Sequence, residues 1–243
     1  MQKIIVLLLL AFSFGCKKNV QNKSPIPQSA EELIARSIRY HDPKENWQSF
    51  QQVLVFKTDS NKKEVLIDNI NGKVVFTEQK GDSLYELGSE SGNSFEKINN
   101  QQIDWSDTTI VVSTWKDSGE FWSNFFTYLY GLPMKLKDEG VVIYDSVLTG
   151  TLDGKPYYKV KAQYEKENSQ EIWYYYFNQD NNALEAYEFY FGVDEKEGEF
   201  VRCEEELELQ NIKIPKIRKW YLIHEDMRFL GKDELSRGKP IAF

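Results

Sequence analysis

Beyond residue 50 the chain falls into short runs of alternating apolar and polar residues, broken at regular intervals by Gly, Asn, Asp and Ser. Alternation with a period of two is the signature of a strand with one buried face. It predicts strands at Val53–Thr58, Glu64–Ile70, Lys73–Glu78, Ser83–Leu87 and Ser94–Ile98, with Thr108–Trp115 after them. A second series follows at Val141–Leu152, Tyr157–Glu165, Glu171–Asn178, Ala183–Phe191, Glu199–Leu209 and Ile212–His224. Asn71-Gly72, Gly81-Asp82, Ser91-Gly92-Asn93 and Asp153-Gly154 supply the turns, since these residue types tolerate the backbone that tight hairpins require. About twelve strands without strand–helix alternation predict an antiparallel meander, and a sheet of that size curls or closes.

Two segments switch to the helical period. Ser29 with Glu32 forms a capping box that opens a helix to about Tyr40, with Leu33, Ile34 and Ile38 on one side and Asp42-Pro43 as its stop. The second segment, Gly119–Asp138, is the densest apolar run after the leader. Phe121, Trp122, Phe125, Phe126 and Leu129 share one side of it, and Ser123, Asn124 and Thr127 fall on the other. Asp117 with Glu120 can cap its start, and Gly131 followed by Pro133 can end it. Two helices are too few to cover both faces of a large sheet. The predicted fold is therefore α+β, a large curved antiparallel β-sheet (an open half-barrel) with helices covering the concave face, as one domain over residues 29–243.

Aromatic residues make up 14% of the chain, which suits strands and would also suit a cavity lined with rings. Trp173–Phe177 is aromatic at every position, and Tyr187, Phe189 and Phe191 share one face of the next strand. The candidate ligand-binding residues are Trp122, Phe125, Phe126 and Leu129 on the helix. Trp173, Tyr175, Phe177, Tyr187, Phe189 and Phe191 join them from the strands. Such a set can form a solid core or a lined pocket, and the pattern is compatible with both.

Charge and motif chemistry narrow the function. A net charge of -8 is repelled by phosphate backbones, so nucleic acid is not an expected partner. Two histidines exclude a His-rich metal site, and no metal or other cofactor is expected. Gly88-Ser89-Glu90-Ser91-Gly92 has the outline of a nucleophile elbow with Glu90 where the Ser should stand, and His224-Glu225 lacks the second His of a zinc helix. No enzymatic activity is expected. His41 beside Asp42 reads as a helix-end His bonding a backbone carbonyl. Lys213, Lys216, Arg218 and Lys219 read as an exposed edge strand, and Cys203 as a buried, inert thiol.

The first 28 residues have a different character. Met1–Gly15 carries one early cation, Lys3, and then the apolar run Ile4–Phe12, too short to cross a bilayer core of about 30 Å. It fits a signal peptide. Ser13 and Gly15 ahead of Cys16 resemble the cleavage site of bacterial lipoproteins, although Ser13 stands where Leu is preferred. Cys16 is thus the expected lipid anchor, carrying acyl chains such as palmitate, and residues 16–28, polar with Pro25 and Pro27, are a flexible tether. The partner implied is a membrane, reached through the N-terminal lipid.

Tyr40-His41-Asp42-Pro43 with Asn46-Trp47, then Tyr128–Asp138, Ile212–Tyr221 and Phe229–Leu235, resemble an uncharacterised lipoprotein family of Bacteroidota. That family's architecture is similar to the Lol-type lipoprotein carriers, an open β half-barrel closed by helices. The resemblance implies a cell-envelope lipoprotein with a hydrophobic cavity and brings no assigned site residues. The acidic signal that sends some such lipoproteins to the cell surface is missing after Cys16, which favours the outer membrane facing the periplasm.

The expectation carried forward is a membrane-anchored module that binds a lipid or acyl chain between sheet and helix. The alternatives are a structural or protein-interaction lipoprotein with a solid core, its protein partner unknown, and a carbohydrate-binding module using Trp and Tyr beside carboxylates.

Overall fold

The computed structural model describes residues 25–59, 62–104, 118–164 and 171–240, without the side chains of residues 118 and 237–240. The leader, Cys16, the tether to residue 24, the strand expected at Thr108–Trp115 and the cap expected at Asp117 lie outside the described residues.

Helix α1 (Ala30–His41) starts where the capping box predicts, with Ser29 Oγ accepting the Glu32 N–H at 3.1 Å. Five strands follow: β1 (Gln52–Thr58), β2 (Lys63–Asp68), β3 (Lys73–Lys80), β4 (Ser83–Glu90) and β5 (Asn93–Ile98), with β6 (Gln101–Gln102) as a short edge. Helix α2 (Ser118–Tyr130) leads into β7 (Val141–Leu152), β8 (Lys155–Tyr164), β9 (Ile172–Asn178), β10 (Leu184–Tyr190), β11 (Gly198–Leu209), β12 (Ile212–Ile223) and β13 (Arg228–Pro240). At Ser91–Gly92, Asp153–Gly154 and Gln210–Asn211 both turn residues have positive φ, the backbone whose twist matches a two-residue hairpin.

All thirteen strands form one antiparallel sheet in the order β6-β5-β4-β3-β2-β1-β13-β12-β11-β10-β9-β8-β7. The order departs from a simple meander at one place. Strand β13, absent from the sequence reading, pairs with β12 on one side and with β1 on the other and so joins the two halves. The chain therefore starts in the middle of the sheet, walks out to one edge, crosses through α2 to the other edge, and walks back. Arg228–Pro240 escapes the alternation rule because three charged residues stand in a row at Lys232–Glu234, with glycines at 231 and 238.

That crossing forces the curvature. Near its start α2 lies against β4 and β5. A Cβ added at Gly119 would stand 2.6 Å from the Gly88 carbonyl oxygen and 2.7 Å from that of Phe95. Toward its end, the Tyr128 hydroxyl meets the Tyr175 hydroxyl on β9 at 2.7 Å. Strands β4 and β9 are eight places apart in the sheet, roughly 38 Å at ~4.8 Å per strand in a flat sheet, whereas thirteen helical residues are only ~20 Å long. The sheet curls around the helix.

Helix α2 is buried on more than the predicted side. Leu129 and Phe126 are buried as expected and Tyr130 joins them, but so does Ser123, whose hydroxyl donates to the Gly119 carbonyl at 2.8 Å. The Gly119 N–H is satisfied by the buried Glu96 of β5 at 3.0 Å, a cap supplied from another strand. Two apolar clusters share the inner face. One joins α1 to β8–β11, the other joins β1–β3 to β12 and β13, and Phe125 of α2 packs against both.

The end of α1 is stitched into the sheet by its last residue. Leu184 N–H donates to His41 Nε2 at 3.0 Å, so the proton sits on Nδ1, which donates to the Lys213 carbonyl at 2.9 Å. Asp42 then accepts the N–H groups of Asn46 and Trp47, both at 2.8 Å. The first of the resembling segments is thus a structural joint. Cys203 is buried on β11, and burial pushes its thiol up to about 11.

Candidate functional cavity

Between α2 and the two halves of the sheet lies a cavity of about 590 Å³. Phe121, Trp122, Phe125 and Phe126 form its helical wall; Phe56, Val65 and Phe76 come from β1–β3, and Phe189, Phe191, Trp220 and Leu230 from the other half. The rings form a continuous lining. Phe76 stacks on Trp122 and Phe126 at 5.7 and 5.6 Å, and Phe125 meets Phe189 edge-on at 6.0 Å. At the open side stand Phe121, Phe191 and Leu230, exposed by 54%, 55% and 47%. Large apolar side chains held in water at the mouth of an apolar space are what a binding site for a greasy molecule presents.

The residues singled out from the sequence divide into two layers. Trp122, Phe125, Phe126, Phe189 and Phe191 line the cavity. Leu129, Trp173, Tyr175, Phe177 and Tyr187 lie in the packed cluster behind the wall, where Trp173 stacks on Phe189 at 4.4 Å. That layer is not wholly greasy. The hydroxyls of Tyr128, Tyr175 and Tyr164 form a chain at 2.7 and 3.0 Å, and burial holds the first two well above the usual phenol range. The chain satisfies polar atoms that would otherwise be stranded in the core. Cys16, the expected anchor, lies outside the described residues.

The floor is polar, and the sequence reading missed it. Arg218 of β12 and Asp233 of β13 are register partners, and both are buried. Arg218 is not on an exposed edge: β12 sits between β11 and β13, and the guanidinium lies over the Tyr130 ring at 4.2 Å and the Phe56 ring at 5.0 Å. Asp233 Oδ2 accepts the Trp220 indole N–H at 2.6 Å. Burial pushes the Asp233 carboxyl above its ordinary range, while the charge of Arg218 and the Trp220 hydrogen bond pull it back. Tyr130, Arg218, Trp220 and Asp233 belong to three of the four resembling segments, so those segments meet here. No signal in a single strand could have shown this, because charge next to charge on β13 becomes an interior group only once its neighbour is known.

The wall also carries Glu171 and Glu199, together with Lys63 and Lys232. Among the described residues, no group of three or more His, Cys, Asp or Glu side chains could hold a metal ion. No helix among them is long and apolar enough to cross a membrane.

Comparison with known proteins gives a family and two distant folds. The profile of a family described as "Family of unknown function (DUF6503)" matches residues 2–236. No curated protein matches the chain. A crystal structure of a LolA superfamily protein from Nitrosomonas europaea is similar at 13% identity and a TM-score of 0.44, over 88% of this chain and 94% of that one. A DUF1329 family protein from Desulfovibrio piger is similar at 8% identity and a TM-score of 0.39, over 88% of this chain and 93% of that one.

Proposed function

The chain belongs to the DUF6503 family, whose function is unknown, and with the cavity as the starting point we propose that it binds a lipid or other apolar or amphipathic molecule between the curved sheet and α2. The single observation that carries this reading is the ring-lined space of about 590 Å³ behind exposed Phe121, Phe191 and Leu230. Its size falls in the range of sites that take small molecules, and its lining is mostly apolar with a few polar groups. No group in the reading has to do covalent chemistry. Entry is driven by removing apolar surface from water, worth about 25 cal/mol per Å².

We further propose that the body works beside a membrane, as a cell-envelope lipoprotein held through Cys16 on the outer membrane and facing the periplasm. This rests on the leader and the small residues ahead of Cys16. A tether of about a dozen residues would let the mouth reach the bilayer surface without the body crossing it.

Native mass spectrometry of the protein, extracted gently from the cells that make it, tests the binding reading. A bound lipid-sized mass that leaves on denaturation is the expected result. Repeated absence of such a mass, together with no uptake of a neutral apolar dye by the purified protein, overturns it.

A further inference from the structure

The proposal that follows rests on the apolar-ligand reading and narrows it to a chemical class. Asp233 is only 6% exposed and lines the cavity. One of its oxygens takes the Trp220 N–H, and the other, Oδ1, is buried with no donor in hydrogen-bond geometry, although the Tyr130 hydroxyl lies close enough to help hold the carboxyl down. A buried carboxylate oxygen with an unmet lone pair, on a side chain that lines a cavity, favours an occupant that brings a donor.

The remaining charges on the wall point the same way. Lys63 pairs with Glu78 at 3.4 Å and Lys232 with Glu234 at 3.9 Å, so both lysines of the lining are engaged by carboxylates outside it. Arg218, the register partner of Asp233, is fully buried over the Tyr130 and Phe56 rings and is not part of the lining. Glu199 stands beside Phe189 on the inner face, and among the described residues no cation lies within ion-pair distance of it. Burial alone raises its carboxyl. Glu171 accepts the Trp173 indole N–H at 3.3 Å and, among the described residues, forms no ion pair. An anionic head entering this space meets acceptors and acidic groups. A protonated amine meets complementary charge along the way in, and the faces of Trp122 and Trp220 add favourable ring contacts for a cation.

We propose that the cavity is selective for amphiphiles bearing a protonated amine, with the ammonium group seated against Asp233 Oδ1 and the acidic wall at Glu171 and Glu199 disfavouring anionic chains. The apolar body of such a molecule fills the space between α2 and the sheet, and its ammonium satisfies a buried acceptor left unmet in the cavity wall.

Three molecules of equal chain length separate charge from greasiness: dodecylammonium, dodecanol and dodecanoate. Each is titrated at pH 7 against the full chain, stripped of endogenous lipid and loaded with a neutral naphthylamine dye. Dodecylammonium is expected to displace the dye at least tenfold more readily than dodecanoate, with dodecanol between them. Asp233→Asn is expected to weaken dodecylammonium about tenfold and leave dodecanol unchanged. Should that variant fail to fold, Glu199→Gln, on the partly exposed wall, is expected to narrow the gap between dodecylammonium and dodecanoate about threefold. Dodecanoate binding as tightly as dodecylammonium overturns the selectivity while leaving the apolar cavity intact. A protein that takes up neither the dye nor any of the three chains overturns both.

Discussion

Arg218 and Asp233 stand opposite one another in register on β12 and β13, Asp233 in the cavity wall and Arg218 buried behind it, with no direct ion-pair contact between them. The arrangement is balanced as a whole. The Arg218 side chain is covered by Tyr130 and Phe56, and Asp233 is held by Trp220. Removing one charge leaves the other buried and uncompensated, which costs several kcal/mol, whereas removing both is often close to neutral. Arg218→Met is therefore expected to lower unfolding stability by about 3 kcal/mol, and Arg218→Met with Asp233→Leu to recover most of that loss. Urea unfolding followed by tryptophan fluorescence reads both. A double variant no better than the single would show that the two charges are not coupled.

His41 predicts an acid-side weakness. Burial brings its folded-state value down to about 4 from 6.5, because a proton on Nε2 would strand a charge in the core and lose the Leu184 N–H. Above pH 6.5 the ring is neutral in both folded and unfolded chains and the shift has no effect on stability. As pH falls from 6.5 toward 4 the unfolded chain takes up the proton first, so stability declines through that window by about 3 kcal/mol and then levels off. His41→Gln removes the titration. The stability difference between wild type and this variant should shrink between pH 7.5 and 4.5, as read from urea midpoints at each pH. A constant difference would mean that the ring is not held neutral.

The two layers of rings should separate in experiment. Trp173 is buried behind the wall and stacked on Phe189, so Trp173→Ala is expected to cost about 3–5 kcal/mol. Phe121 is more than half exposed at the mouth, and Phe121→Ser should change stability by no more than about 0.5 kcal/mol. The same change should weaken uptake of a neutral apolar dye severalfold. Equal dye binding by wild type and Phe121→Ser would place the entrance elsewhere.

Gly119 sets helix propensity against close approach. Alanine is favoured over glycine in a helix by about 1 kcal/mol, yet a Cβ here would stand 2.6 Å from the Gly88 carbonyl oxygen and 2.7 Å from that of Phe95. Those contacts are backbone and have little room to yield. Gly119→Ala is expected to be destabilising, and Glu96→Ala, which removes the acceptor of the Gly119 N–H, to cost about 1 kcal/mol or more. Melting temperatures of the two variants check this, and a stabilised Gly119→Ala protein would mean that α2 sits further from β4.

Much of this architecture was legible along the chain. Period-two runs and positive-φ turn residues placed eleven of the strands to within a few residues, and the ring stripe of α2 identified the helix that lies against the inner face. What was illegible depends on neighbours distant in sequence. Arg228–Pro240 carries the wrong composition for a central strand, and only pairing with β1 and β12 makes it one. Arg218 looked like one cation among several exposed ones until β13 covered it. Periodicity also could not divide the rings between wall and core, since Phe189 and Tyr187 share a face of one strand yet only the first reaches the cavity. That division is set by how tightly the sheet bends.

The position of β13 bears on how this molecule reaches its shape. Gln52 pairs with Pro240, so about 190 residues must leave the ribosome between the two halves of that seam. Each half can zip up from its own local hairpins, but their union waits for the latest-made strand. High sequence separation of this kind slows folding. Under the proposed envelope location, a slow final seam would also help a polypeptide threaded unfolded through a translocase, because the seam cannot lock before its latest-made strand is across.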